Sequence, residues 1–133
     1  MKITLIGANI VTQKGDFFGT GIPYFPLVIA YTASYLREKG HTIQLIDSFG
    51  ENPFQVTEEG NKFIQGLTPK QVTEKIDKKT KLIAIGAERV VAHESIVAII
   101  RQIKQDATIK NIPIVILENT QAVTAYALKQ VKE

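Results

Sequence analysis

The stretch from Phe25 to Gly50, FPLVIAYTASYLREKGHTIQLIDSFG, holds a helix, a glycine stop and a strand in immediate succession. Pro26 suits the first turn of a helix, where its missing N–H leaves no hydrogen bond unmade. Lys39 and Gly40 supply a basic last turn and a left-handed cap. The segment from His41 to Asp47 then predicts a short strand. A helix that leads directly into a strand is the repeating half-unit of an α/β fold.

Four apolar segments along the chain predict strands: Lys2–Ile6, Thr42–Asp47, Lys81–Gly86 and Ile112–Leu117. The two connections that contain no such segment, one after Ile6 and the other from Ser48 to Leu67, are predicted to be long loops. The predicted strands are therefore separated by connections that are long enough to contain helices.

Helices are predicted in the three connections between these strands, and a further helix after the last strand. After the helix that begins at Pro26, a second is predicted from a capping box at Thr68 and Gln71 to about Asp77. A third has one apolar face at the helical spacing, formed by Ile96, Ile99, Ile100 and Ile103. A last helix is predicted to be capped by Asn119 or Thr120 and to bury Val123, Ala127 and Val131.

This alternation predicts a parallel sheet with helices on both faces, because right-handed crossovers connect parallel neighbours. We expect one domain over residues 1–133, a flavodoxin-like or Rossmann-like three-layer sandwich with strand order 2-1-3-4. A fifth strand usually closes such a sheet. We expect either that it follows Glu133 in a longer protein or that the sheet is a four-stranded minimum with an exposed edge.

Composition narrows the class of protein. Of the 133 residues 44% are hydrophobic and 22% charged, which is ordinary for a globular protein and favours neither disorder nor a membrane class. A net charge of +3 is carried by scattered lysines, so we predict a solvated surface with no nucleic-acid partner. The longest apolar runs are far shorter than a membrane span, so we predict no membrane partner. The chain contains no cysteine, which excludes disulfides, cysteine-ligated zinc and an iron–sulfur cluster within it.

No leader follows Met1, so we expect a cytoplasmic protein.

In such a fold, ligands bind at the carboxyl ends of the strands, near the switch point between strands one and three. Glycines there allow either close approach of a ligand or a tight turn. The residues at these ends are Gly7, Ala8, Asn9 and Ile10 after strand one, Asp47 and Ser48 after strand two, Gly86, Ala87, Glu88 and Arg89 after strand three, and Glu118, Asn119 and Thr120 after strand four.

Known catalytic and nucleotide motifs are missing from these positions. The sequence after strand one, GANIVTQKGDFFG, has neither the glycine spacing of a dinucleotide fingerprint nor the end of a P-loop. Asp47 stands where a ribose-binding acid would lie, but a turn or capping role is favoured. His93-Glu94 has no second histidine at helical spacing, and there is no Gly-x-Ser-x-Gly elbow. We therefore predict no catalytic residue and no metal ligand in this chain.

Four segments resemble the cobalamin-binding domain that precedes the catalytic domain in many radical S-adenosylmethionine (radical SAM) enzymes: KITLIGAN, FPLVIAYTASYLREKGHTIQLID, LTPKQVTEKIDKKTKLIAIG and IPIVIL. The second is the most specific. The resemblance implies a corrinoid held over the strand ends, largely by backbone contacts. By position its lower face would meet Ala8, Asn9, Ile10 and Glu88 to Val90, and its nucleotide tail Glu118 to Gln121. The loop after strand one has no histidine, which resembles the histidine-off branch.

The same resemblance implies partners and a role. The chain would be a binding module, not catalytic alone, with a radical SAM domain downstream in the parent protein; a homodimer is also compatible. Where the family usually has Gly-Gly after strand four, this chain has Leu117, Glu118 and Asn119, and Glu88 and Arg89 put charge after strand three. These departures keep open the alternative, a degenerate receiver-like or scaffold domain that binds a protein partner without a cofactor.

A receiver-like signalling domain is the rival from another class, because the second half of the chain has the rhythm of helix, strand and loop seen in response regulators. A phosphoacceptor site requires an aspartate after strand three and an acidic pair after strand one to hold magnesium. This chain has Gly86-Ala87 and Ala8-Asn9 there, so only a pseudo-receiver that binds a protein partner stays open.

Overall fold

The computed structural model describes residues 1–15, 26–87 and 92–118. In chain order, the described elements are β1 (Lys2–Gly7), β2 (Ile10–Gln13), α1 (Leu27–Glu38), β3 (Thr42–Asp47), β4 (Val56–Glu59), β5 (Lys62–Gln65), α2 (Pro69–Lys75), β6 (Leu82–Ala87), α3 (His93–Gln105) and β7 (Ile114–Glu118).

Four of the strands form a parallel sheet in the order β3-β1-β6-β7. Counted along the chain as the parallel strands one to four, this is the predicted order 2-1-3-4. The α/β fold class is therefore confirmed. Strand pairing is in register from Lys2 with Thr42 to Gly7 with Asp47, so β1 and β3 begin and end together.

Helices cover both faces of this sheet. Ile29 and Ala33 of α1 pack with Ile3, Leu5 and Ala84 on one face. On the opposite face, α2 and α3 bury an isoleucine-rich cluster against β1, β3 and β6, whose members include Ile6, Ile46, Val72, Ile83, Ile85, Ile96, Ile99 and Ile103. The predicted stripe of α3 lies in this cluster. The predicted three layers are present.

Two predicted helix signals take their expected form. Gly40 has a φ of +82° just after α1, the left-handed conformation that a glycine stop supplies. At the start of α2 the Gln71 N–H donates to the Thr68 hydroxyl at 3.3 Å, and the Thr68 N–H donates to Gln71 Oε1 at 2.8 Å. This is the reciprocal capping box. Pro26 is the residue before α1, and its carbonyl accepts from the Ala30 N–H at 3.0 Å.

A second, antiparallel sheet in the order β2-β5-β4 contradicts the prediction of two long loops. These strands have four residues each and are rich in polar side chains, so their apolar pattern is weak. The hairpin of β4 and β5 turns at Gly60-Asn61, where Gly60 has a φ of +58°. Glycine at the first position of a two-residue hairpin turn is typical of type II′.

The predicted last helix, with Asn119 or Thr120 as its cap and Val123, Ala127 and Val131 as its buried face, lies outside the described residues. Within the described parts of the chain, none of the helices has the length and apolar character that a membrane crossing requires.

An ion pair joins the start of β1 to the turn after α2 at the amino-terminal edge of the sheet. The Lys2 ammonium donates to the Asp77 carboxylate, and the Lys79 N–H donates to the same group at 2.7 Å. The hydrogen bond from Lys2 lowers the pKa of Asp77 most, and that from the Lys79 N–H lowers it next, so that the pKa lies below its ordinary value of 3.8. The charged carboxylate is therefore favoured by folding.

The variant Asp77→Asn tests this link to stability. Because the folded pKa lies below 3.8, the carboxylate stabilises the fold fully above that value, and the contribution is lost as the pH falls through the lowered pKa. We expect the variant to have a lower Tm at neutral pH, with a difference from the original protein that shrinks as the pH falls below 3.8. Thermal denaturation followed by circular dichroism measures it. Glu38→Gln, at an exposed position, is the control, and a pH-independent difference for Asp77→Asn would contradict the assignment.

Candidate functional site

The carboxyl ends of the four parallel strands lie along one edge of the sheet, here called the carboxyl edge. At this edge Gly7 of β1 is paired with Asp47 of β3, and Ala87 of β6 with Glu118 of β7. After β1 the chain reaches α1 on one face, whereas after β6 it reaches α3 on the other. The boundary between β1 and β6 is therefore the switch point at which α/β sheets open a crevice.

Asn9 is a buried polar centre of the carboxyl edge, with 2% of its surface exposed. Its amide nitrogen donates to the Leu67 carbonyl at 2.8 Å, and its amide oxygen accepts from the Ser95 hydroxyl. Leu67 precedes α2, and Ser95 lies in the first turn of α3. One side chain thus joins the connections that follow β1, β3 and β6.

Ser48 continues this polar centre on the β3 side. Its N–H donates to the Gly7 carbonyl at 3.1 Å, and its own carbonyl accepts from the Leu67 N–H at 2.6 Å. The side chain is fully buried, and its hydroxyl has no hydrogen-bond partner among the described residues. The backbone of Ser48 therefore fixes the edge, while its hydroxyl is left unsatisfied.

Asp47 serves the turn that follows β3. Its carboxylate accepts from the Gly50 N–H at 2.9 Å, and its carbonyl accepts from the Glu51 N–H at 3.0 Å. This is the local side-chain to backbone pattern by which aspartate stabilises turns. The structure thus gives Asp47 the turn role that the sequence favours, at the partly buried corner of the carboxyl edge.

Gly7 and Gly86 face α1, and Ile29 packs over both. A Cβ atom on Gly86 would lie 2.6 Å from Ile29 Cδ1 and 2.9 Å from its Cγ1, closer than side chains tolerate. A Cβ atom on Gly7 would meet the same Cδ1 at 3.6 Å, an ordinary contact. Neither glycine has a positive φ. At Gly86 the missing side chain therefore makes room for Ile29, which is a third reason for a glycine here besides a turn or a ligand.

The other predicted site residues divide into described and undescribed groups. Ala8 and Ile10 are half-buried, Ala87 is fully buried and Glu118 is exposed. Glu88, Arg89, Val90, Asn119, Thr120 and Gln121 lie outside the described residues. Sequence reasoning did not identify Leu67, Ser95 or Ile29 as part of this edge. Only Ser95 had a signal in the sequence, because it is a polar residue in the first turn of a helix face that is otherwise apolar.

The chemistry of the described edge is mostly that of backbone and apolar groups. Asp47 and Glu118 are its carboxylates, and no group of three histidine, cysteine or acidic side chains close enough to hold a metal ion occurs among the described residues.

In comparisons with known proteins, no family model, no curated protein and no solved structure matches the chain significantly.

The variant Asn9→Ala tests the polar centre. It leaves the Leu67 carbonyl and the Ser95 hydroxyl unpaired in a buried place, which costs about 1–3 kcal/mol of unfolding free energy. Urea denaturation with a fixed m-value measures this loss. Asn52→Ala is the matched control, because Asn52 is exposed and the hydrogen bond that its amide donates to Gln55 lies at the surface, and we expect a change within about 0.5 kcal/mol. Equal losses in the two variants would contradict the role of Asn9.

The variant Gly86→Ala tests the packing of Ile29. We expect it to lose about 1–3 kcal/mol of unfolding free energy through overpacking. Gly7→Ala adds the same methyl group on the same face at an ordinary contact distance, so its loss should be smaller. Adding Ile29→Val removes the nearest clashing carbon atom, so the double variant should lose less than the sum of the single losses. Additive losses in chemical denaturation would rule out this packing.

Proposed function

We propose that this chain is a corrinoid-binding module of a radical SAM-type protein, with cobalamin as its cofactor and no catalytic residue of its own. The observation that carries the proposal is the switch point between β1 and β6, where connections leave to opposite faces of a parallel sheet. Ligands of α/β sheets bind outside the strand ends at such a point. The quoted sequence resemblance supplies the class of ligand.

The composition of the carboxyl edge supports this choice over a phosphate ligand. The described residues there offer backbone groups, apolar side chains and two carboxylates, and a phosphate would be repelled by the latter. A corrin is a broad macrocycle with amide side groups, which backbone groups can meet by hydrogen bonding. The chain from Ala8 to Phe25 contains no histidine, so we propose a histidine-off mode in which this loop gives cobalt no protein ligand.

The wider setting of the module is part of the same proposal. We propose a downstream radical SAM domain as the catalytic partner, a cytoplasmic location, and either a monomeric or a homodimeric module. No nucleic-acid or membrane partner is proposed, since the positive charge is scattered over the sequence.

Absorption titration of the purified chain with hydroxocobalamin and methylcobalamin, followed by desalting, tests the proposal. We expect about one equivalent of corrinoid to stay with the protein, and bound methylcobalamin to show a base-off spectrum. Ala8→Trp should abolish retention by filling the carboxyl edge. Ala107→Trp makes the same change at an exposed position before β7, at the amino-terminal edge, and should retain corrinoid. Circular dichroism checks that both variants fold. No retention by the original protein would refute the proposal.

The second candidate is a scaffold that binds a protein partner without a cofactor. Leu27, Tyr31 and Tyr35 lie four residues apart on α1 and are 55%, 74% and 59% exposed, which is unusual for large apolar side chains on one helix face. Such a stripe is typical of an interaction surface. A chain that fails to retain corrinoid, and whose partner binding is lost in Tyr31→Ser but not in Glu38→Gln, would favour this function.

A further inference from the structure

Lysines that are scattered along the sequence come together at the amino-terminal edge of the parallel sheet. The turn that leads into β6 contains Lys78, Lys79 and Lys81, and the turn that leads into β7 contains Lys110. All four residues are exposed and are here called the lysine cluster. Because β6 and β7 are neighbouring parallel strands, the two turns that precede them lie at the same edge of the sheet.

Contacts between the turns make the lysine cluster one continuous surface. Lys78 lines a surface cavity together with Asp106 and Thr108 of the turn before β7. The pKa of Asp106 is lowered first by its hydrogen bonds with Thr108 and, to a smaller degree, by the nearby Lys78 ammonium. On the other side, the Lys81 N–H donates to the Lys2 carbonyl at 2.9 Å. The cluster therefore extends from the start of β1 to the turn before β7.

The ammonium groups of the lysine cluster have no carboxylate at ion-pair distance among the described residues. The Asp77 carboxylate accepts from the Lys79 backbone N–H, but its ion pair is with the Lys2 side chain. Lysines at other positions do have acidic partners in the described parts of the chain, namely Lys14, Lys62, Lys70 and Lys75. The positive charge that is not paired in this way thus includes a group concentrated at one edge.

Helix ends account for some cations at this edge, but not for the lysine cluster. Arg37 and Lys104 lie in the last turns of α1 and α3, where the negative end of the helix dipole favours a cation. Lys104 also donates to the Lys110 carbonyl at 3.2 Å. The dipole effect is confined to the last turn of a helix. The cluster lysines lie in the turns beyond α2 and α3, so their side chains have no such role.

We propose that the lysine cluster is a docking surface for an acidic segment of a protein partner. Asp77 and Asp106 lie among these lysines, and a protein segment can place its carboxylates singly, opposite the ammonium groups and away from the two aspartates. A nucleic-acid backbone carries a charge at every phosphate and would face the aspartates as well. Arginine, the residue best suited to phosphate, is absent from the cluster.

This surface lies at the edge of the sheet opposite to the carboxyl edge. The inference therefore goes beyond the proposed corrinoid function and does not depend on it.

Fluorescence anisotropy with a labelled polyglutamate peptide at low ionic strength tests the inference. We expect binding that weakens as salt is added, because exposed charges are screened. The combined variant Lys78→Gln, Lys81→Gln and Lys110→Gln should lose about tenfold in affinity or more, since each exposed charge pair contributes up to several-fold. Failure of the original protein to bind polyglutamate, or an unchanged affinity in this variant, overturns the inference.

A matched variant separates the lysine cluster from net charge. Lys14→Gln, Lys62→Gln and Lys70→Gln together remove the same charge at lysines outside the cluster, and we expect an affinity within about threefold of the original. Equal losses in the two variants would overturn the inference, because net charge alone would then govern binding. Circular dichroism checks that both variants fold.

Two further probes test the class of partner. A DNA oligonucleotide and vesicles of phosphatidylcholine with phosphatidylserine are titrated in the same buffer, and we expect both to bind more weakly than polyglutamate. Tighter binding of either probe would overturn the assignment of the lysine cluster to an acidic protein segment.

Discussion

The Asn9 amide joins three connections of the parallel sheet at one buried point. Each connection leaves a different parallel strand, and the side chain bonds two of them from its place in the third. Because a buried amide without partners is costly, the fold favours the arrangement in which the three connections meet at this point. The amide thereby couples the carboxyl edge, the first turn of α3 and Leu67, which follows the small antiparallel sheet.

Surface charges contribute less to that arrangement. Lys62 of β5 pairs with Glu94 of α3 at 2.6 Å, across the junction of the small sheet and the helix. Both side chains are over 40% exposed, and exposed ion pairs contribute at most about 1 kcal/mol. Ile64, which lies two residues after Lys62 in β5 and is buried, contributes more by removing its apolar surface from water. The small sheet is thus attached mainly by burial and by the backbone bonds around Leu67.

The parallel strands and the three described helices could be predicted because each has a local signal. Gly40 and the Thr68 capping box mark helix ends, and the isoleucines of α3 recur at the helical period. The hairpin was missed although Gly60-Asn61 is a recognised turn pair, because VTEE and KFIQ do not alternate clearly. The sequence predicted which strand ends form the site, but it did not predict which side chains are in contact there. Ser95 is 86 residues from Asn9, and no local pattern predicts which distant hydroxyl an asparagine will meet.

Ile29 and Gly86 fit one another in a way that has an evolutionary consequence. The two residues lie on different elements, and each size is acceptable only with the other. A larger residue at position 86 would push α1 off the sheet, while a smaller one at position 29 would leave a void over the glycine. Over evolution the two positions should therefore change together or both be kept, so that coupled change at positions 29 and 86 would report the contact between α1 and β6.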